Sequence, residues 1–271
     1  MSSQGKRRLC TVLFIFSVLS FLFFALSFLA RQNAYQRSSR DLQYVMEIRG
    51  VTAQPLSDEV KSQMDEASVR AAEYEEKLAR QEGYRRLKAE NPDFAGWIRI
   101  AGTPVDYPVM QTKDNPDYYY RRGFDKEYSV YGMIYMDAAC TITEQETVSP
   151  NYILYGHHMK DGSMFASLEQ YGSKEYYQEH PVVEFETEDE PGCYEIVGVV
   201  RLPAEQLNGE FTATLAARTK EDYENLIRYV KEHGFYETGI EARWPDQLIT
   251  LTTCEYTQKN GRLLVVARKK A

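Results

Sequence analysis

From Leu9 to Ala30 the chain runs 22 residues without a charged side chain, and beyond it apolar positions follow two other rhythms. As a helix rising about 1.5 Å per residue, the first stretch is about 33 Å long, the thickness of a bilayer's hydrocarbon core of about 30 Å. Lys6, Arg7 and Arg8 precede it, the cationic flank that stays cytoplasmic. A cleavable signal peptide is the alternative, but its apolar region is usually about 7–15 residues and ends in small residues. Phe28-Leu29-Ala30 is a poor match to such an end. The pattern predicts an uncleaved signal anchor, with residues 1–8 cytoplasmic, 9–30 in the membrane and the rest outside the cell. Residues 31–56 are mixed and polar and read as a membrane-proximal linker. Over residues 57–90 the rhythm turns helical: Val60, Met64, Ala67, Ala71, Tyr74 and Leu78 recur at steps of four and three. Ser57-Asp58-Glu59 supplies a start signal and Asn91-Pro92 a stop. This stripe is short and partly alanine, which favours a helix packed on the following domain, or a spacer, over a coiled coil.

After Pro92 the texture changes to short β-like runs separated by turn residues. They are Gly96–Ile100, Val105–Met110, Tyr131–Met136, Asn151–Tyr155, Val182–Phe185, Tyr194–Arg201, Leu248–Cys254 and Arg262–Ala267. Eight such runs predict a mainly β domain, a barrel or a sandwich, over residues 91–271. Two helical interludes interrupt them, Met164–Tyr177 and Lys220–His233.

Charge and cysteine usage sharpen this picture. Residues 1–40 hold six of the 32 Lys and Arg and none of the 40 Asp and Glu, leaving 26 basic against 40 acidic side chains in residues 41–271. A net charge of −14 there argues against nucleic acid as a partner, which needs a basic surface. Of four cysteines, Cys10 lies in the apolar stretch. Cys140, Cys193 and Cys254 are then extracellular, and an odd number leaves at least one unpaired or bonded to another molecule. No CxxC or Cys/His ladder points to a structural metal, and no cofactor is called for.

Two stretches carry candidate chemistry. In Leu248–Cys254, period-two alternation puts Leu248, Thr250, Thr252 and Cys254 on one face, and Arg262, Leu264 and Val266 share a face of the next run. If the two pair antiparallel, Cys254 and Arg262 meet at the loop end. Taken alone, a cysteine there often just fills space. In Tyr155-Gly156-His157-His158 an apolar run ends in glycine and two adjacent histidines. Neighbouring strand residues point to opposite sides, which disfavours a two-histidine metal pair. A cysteine nucleophile does need an imidazole, and such partners meet in space rather than in sequence.

Together these residues resemble the sortases, and class B sortases in particular. The resemblance rests on Tyr155-Gly156-His157, on Thr250-Leu251-Thr252-Thr253-Cys254, and on Arg262 opening the next run. It is reinforced by Asn91 through Ile98 (NPDFAGWI), Val105 through Val109 (VDYPV), His158 through Tyr171 and the helix between the late strands, and covers about residues 60–271. It implies a closed eight-stranded β-barrel with an N-terminal helix and an inserted helix before the last two strands. It also implies a membrane-anchored cysteine transpeptidase that cuts a C-terminal sorting motif of a secreted protein and passes the acyl group to a peptidoglycan-precursor amine, at the surface of a Gram-positive cell. Carried over residue by residue, Cys254 is the nucleophile, His157 the acid–base and Arg262 the oxyanion clamp. Tyr120, Thr252 and Glu255 are candidate substrate contacts, and His158 is expected to be structural or at the rim. Leu202–Leu215 matches the family poorly, so the motif could be NPxTN-like or PxTG-like. Two other readings stay open: a sortase that polymerises pilins through a lysine, and a non-catalytic membrane-tethered binding module.

Overall fold

Each of the eight short apolar runs forms a strand, and the strands close into one barrel. The computed structural model describes residues 3–50, 62–142, 148–188, 191–207, 210–255 and 261–270, with residues 3–10, 210, 254 and 255 described by backbone alone. The strands are β1 (Phe94–Arg99), β2 (Asp106–Met110), β3 (Ile134–Met136), β4 (Asn151–Gly156), β5 (Val182–Glu186), β6 (Cys193–Pro203), β7 (Leu248–Glu255) and β8 (Gly261–Lys269). Around the barrel they run β1-β2-β3-β4-β7-β8-β6-β5, so the sandwich alternative falls away. Closure leaves no sheet edge exposed. Most neighbours are antiparallel, but β2–β3 and β4–β7 are parallel. Inside sit fully buried residues such as Val109, Ile134, Leu154, Val199, Leu251 and Val265. Cys140 joins them, and its Sγ lies 3.5 Å from both the Ile153 N–H and the Asn151 carbonyl. Burial pushes that thiol up to about 11, while Cys193 is exposed on β6, and the two are unpaired.

The N-terminal half departs from the sequence reading in two ways. Helix α1 (Ser3–Arg49) does not end with the apolar stretch; it continues through residues 31–49, which were expected to be linker. The reason is legible afterwards. Ala34, Leu42, Val45 and Ile48 form a narrow docking stripe among good helix formers, and all four pack against the barrel's buried clusters. Its large apolar side chains from Val12 to Leu29 are exposed, whereas Val45 is fully buried. By length and composition this helix can cross a membrane.

Helix α2 (Glu66–Glu90) starts on Asp65, whose carboxylate accepts the Ala67 and Ser68 N–H groups. The start signal at Ser57-Asp58-Glu59 lies outside the described residues. The expected stripe is not the packed one: Ala67, Ala71, Tyr74 and Leu78 are exposed, and Arg80, Gly83, Tyr84 and Leu87 are buried. Only the C-terminal half of α2 reaches the barrel, and Gly83 is required where α1 ends. A Cβ there would lie 2.3 Å from the Arg49 carbonyl oxygen. Arg49 fastens this corner by pairing with Glu186 at 3.2 Å and stacking on Trp97 at 4.2 Å.

Beyond β4, the first helical interlude is a 3-10 segment, Ala166–Gly172, followed by α3 (Lys174–Glu179) with Ser173 as its cap. Two unpredicted short helices follow β6: α4 (Ala204–Leu207) and α5 (Glu210–Ala216). The second interlude is α6 (Lys220–His233), which buries Tyr223, Leu226, Ile227 and Val230 as its 3.6-residue period requires.

Candidate active site

Strand direction brings the distant motifs together. Strands β7 and β8 are antiparallel with Cys254 registered directly opposite Arg262 and Thr252 opposite Leu264. Strand β4 lies parallel to β7 on the other side, with Tyr155 level with Thr252 and Gly156 level with Thr253. His157 directly follows the last residue of β4, and Cys254 directly follows Thr253 on β7, so both lie at the same end of the parallel pair. Parallel neighbours end at the same edge, so residues 97 positions apart in the sequence leave the barrel side by side. A groove of about 590 Å³ runs over this edge, walled by Tyr120, Tyr155, His157, Thr252, Thr253 and Arg262.

Gly156 has a packing role. A Cβ at this position would lie 2.5 Å from both Ile134 Cδ1 and the Phe165 ring, so only glycine lets β4 pass this close. The chain then turns, and the Phe165 N–H returns to the His157 carbonyl at 2.9 Å. The Met164 N–H donates to the Tyr107 hydroxyl at 2.9 Å, fixing the far end of the same loop.

The two histidines part company here. His157 Nε2 lies 2.7 Å from the Tyr120 carbonyl, and its ring packs on the Tyr120 ring with centroids 4.4 Å apart. A carbonyl only accepts, so Nε2 carries the proton and Nδ1 is the ring atom left for chemistry. Burial holds the ring below the ordinary imidazole range; the Tyr120 carbonyl opposes this and the Arg121 guanidinium adds to it. A neutral, proton-accepting ring is the result at neutral pH. His158 instead pairs with Glu169 at 3.3 Å and faces a different cavity, beside Pro104, Met159 and Gln170.

Arg262 lines the groove half-buried, and its one hydrogen bond among the described residues is from Nη1 to the Gly261 carbonyl, 3.0 Å away. Its other N–H groups are available to a bound carbonyl or oxyanion. Thr252 is nearly fully buried, and its hydroxyl has no hydrogen-bond partner among the described residues. Such a group is costly unless something pairs with it. Thr253 is satisfied, donating to the Gly156 carbonyl at 2.8 Å. Glu255 is the last residue of β7, opposite Gly261.

The groove also holds residues the sequence reading passed over. Tyr135, Tyr155 and Asp137 form one wall, with the Tyr155 hydroxyl donating to the Asp137 carboxylate at 3.0 Å. Asp117, Ala204, Leu207 and Thr212 complete the rim. Tyr155 had a visible signal, two positions before His157 on the same strand face. The Tyr120 carbonyl had none, because a main-chain acceptor leaves no trace in residue identity.

Comparison with known proteins gives the family of this fold. The family model described as a sortase domain matches residues 98–270. Sortase B of Listeria monocytogenes is 34% identical over 186 residues, 67% of this chain and 71% of that protein. Sortase B of Staphylococcus aureus is 31% identical over 191 residues, 68% of this chain and 73% of that protein. Among solved structures, a mutant form of Clostridium perfringens sortase B superposes with a TM-score of 0.69 at 29% identity, covering 86% of this chain and 98% of that one. A Staphylococcus aureus sortase B–substrate complex gives 0.62 at 26% identity, covering 70% and 85%.

Proposed function

The chain belongs to the sortases, and to their class B members, and from that premise we propose that it cuts a C-terminal sorting motif after threonine and transfers the protein to a peptidoglycan amine. The observation that carries this reading is the shared edge of β4, β7 and β8: Cys254 stands opposite Arg262 in the register of β7 and β8, His157 follows the end of the parallel β4, and His157 and Arg262 line one groove.

In the first step the Cys254 thiolate attacks the carbonyl of the motif's threonine. The Arg262 guanidinium, a planar fork of fixed N–H donors, and a backbone N–H near Cys254 stabilise the oxyanion. His157 delivers a proton from Nδ1 to the leaving amine, and a thioester on Cys254 remains. Since burial keeps the ring largely neutral, the protonated ring beside a thiolate is a minor form of the resting enzyme. In the second step Nδ1 takes a proton from the incoming amine, which attacks the thioester and releases the protein on its new amide. Acid–base help of this kind contributes roughly 10²–10⁴-fold. The side chain of Tyr120, 43% exposed, is an apolar wall for the bound motif, and Thr252 and Glu255 remain candidate contacts by their place beside Cys254 on β7. Helix α1 serves as the signal anchor, with the barrel outside the cell.

The test is a panel of NPxTN-, LPxTG- and SPxTG-type peptides with hydroxylamine as acceptor. One peptide class should yield a hydroxamate and the Cys254→Ala variant none. Absence of hydroxamate from every peptide would overturn the transpeptidase reading. Replacing hydroxylamine by a pilin-type lysine peptide separates wall anchoring from pilin polymerisation, since only the polymerising enzyme would use the lysine.

A further inference from the structure

The ring of His157 is set by a main-chain carbonyl, and the segment supplying that carbonyl is held from outside the barrel. Tyr120 belongs to a 3-10 turn, Tyr118–Arg121. This turn leads into a small hairpin in which Arg122 bridges Tyr128 and the Ser129 N–H bonds the Arg121 carbonyl. The hairpin tip is Gly123–Glu127, and helix α1 grips it. Asp41 Oδ2 accepts the Phe124 N–H at 2.9 Å, and Arg37 pairs with Asp125 at 3.1 Å. Gly123 sits so close that a Cβ there would lie 2.6 Å from Asp41 Oδ2. From the opposite side Asn91, just past α2, donates to the Phe124 carbonyl at 2.7 Å and to the Tyr119 hydroxyl at 2.8 Å. At the hairpin's return, Gly132 closes against the turn: a Cβ there would lie 2.5 Å from the Tyr120 oxygen itself.

We infer that Asp41 is a positioning residue for the transfer reaction: through the Phe124 hairpin it fixes the Tyr120 carbonyl, and through that carbonyl the orientation and tautomer of His157. The inference rests on His157 being the acid–base proposed above. It follows that the extramembrane part of the anchor helix is a working part of the catalytic body. The charged and titratable groups around the coupled pair are Arg37 and Asp125 at the Asp41 end, and Arg121 with the Tyr120 ring at the His157 end.

The experiment uses the full chain in detergent micelles and the best peptide of the hydroxylamine panel. In Asp41→Ala, kcat should fall about 10- to 100-fold, the loss expected for a catalytic group misplaced by about an ångström, with KM within twofold. The His157 ring resonance, assigned by its absence in His157→Ala, should titrate at lower pH than in the wild type, since the carbonyl contact favours the charged ring. Asp41→Asn, whose amide oxygen still accepts the Phe124 N–H, should restore at least half the rate. An unchanged or raised His157 titration in folded Asp41→Ala would overturn the inference, as would a loss that Asn fails to rescue. If the wild type makes no hydroxamate, the transpeptidase reading fails, and the ring titration still decides the positioning claim.

Discussion

Replacing Gly156 by alanine would separate the structural reason for this glycine from its place in a motif. The added Cβ would meet Ile134 Cδ1 and Phe165 Cδ2 at 2.5 Å and Phe165 Cγ at 2.6 Å. An ordinary contact is about 3.5–4.0 Å, so one side must give by about an ångström. Neither neighbour has room: Ile134 and Phe165 are both fully buried, and Phe165 is tied to His157 through its own N–H. Overpacking of this kind costs about 1–3 kcal/mol, roughly 3–9 °C in melting temperature at about 3 °C per kcal/mol. The kinetic effect should exceed the thermal one. A 1 Å displacement of the residue after Gly156 acts directly on the imidazole, and misplacement of that size costs about 10²-fold in rate. The assay is hydroxamate formation and thermal unfolding measured on the same preparation. Gly172→Ala is the control, because a Cβ there has nothing within 4 Å. A Gly156→Ala enzyme with wild-type turnover would refute the argument, showing that β4 can shift without moving His157.

Four further outcomes follow from the same geometry. Cys254→Ala should abolish both cleavage and transfer while leaving the barrel folded, and residual transfer in a folded variant would remove the nucleophile. His157→Ala should lower turnover by 10² or more, whereas His158→Ala, which removes the pair with Glu169 in a different cavity, should stay within about threefold; the reverse order in steady-state assays would exchange their roles. Arg262→Lys should lower kcat by about 10²–10³, the size of a lost oxyanion donor, with an unchanged circular dichroism spectrum. For pH, the folded His157 titrates below the ordinary imidazole value of 6.5, so the unfolded chain takes the proton first as pH falls. The stability linked to the neutral ring is whole above pH 6.5 and is lost as pH drops through the folded value. Urea unfolding of the wild type should therefore lose ground to His157→Gln between pH 7.5 and 5.5, and a constant difference would show that burial does not perturb the ring.

The barrel was legible because its strands carry their own punctuation. Each apolar run is bounded by turn residues, and the observed strands β1–β8 coincide with those runs to within one or two positions at almost every end. The candidate edge was legible through residue types that have no reason to sit at strand ends. What escaped detection lay where pattern and packing differ. Residues 31–49 read as linker because their apolar positions are sparse and only Ala34, Leu42, Val45 and Ile48 form the docking stripe, yet docking against a preformed barrel is enough to hold them helical. In α2 the stronger apolar stripe is the exposed one, since the half of the helix that carries it extends past the end of α1. There tertiary geometry overrode periodicity. The groove wall formed by Tyr135, Tyr155 and Asp137 depends on which strands become neighbours, which no single run records.

Strand order explains why this chemistry needs the whole barrel. In an antiparallel meander, consecutive strand ends alternate between the two rims, and a motif that closes one strand faces a motif that opens the next. That arrangement supplies Cys254 and Arg262 from β7 and β8. It cannot supply a third group that also closes a strand, because the end of an antiparallel neighbour lies at the opposite rim. The parallel β4–β7 pair solves this: both strands run to the same edge, with His157 following Gly156 and Cys254 following its partner Thr253. A parallel pair requires a crossover connection, and here the chain between Gly156 and Leu248 fills it with β5, β6 and helices α3 to α6. Part of that crossover returns to the groove, where Ala204, Leu207 and Thr212 form its rim. The segment that topology requires between β4 and β7 thus also lines the groove, and under the proposed function sequence change there should alter the motif recognised while the β4–β7 register stays fixed.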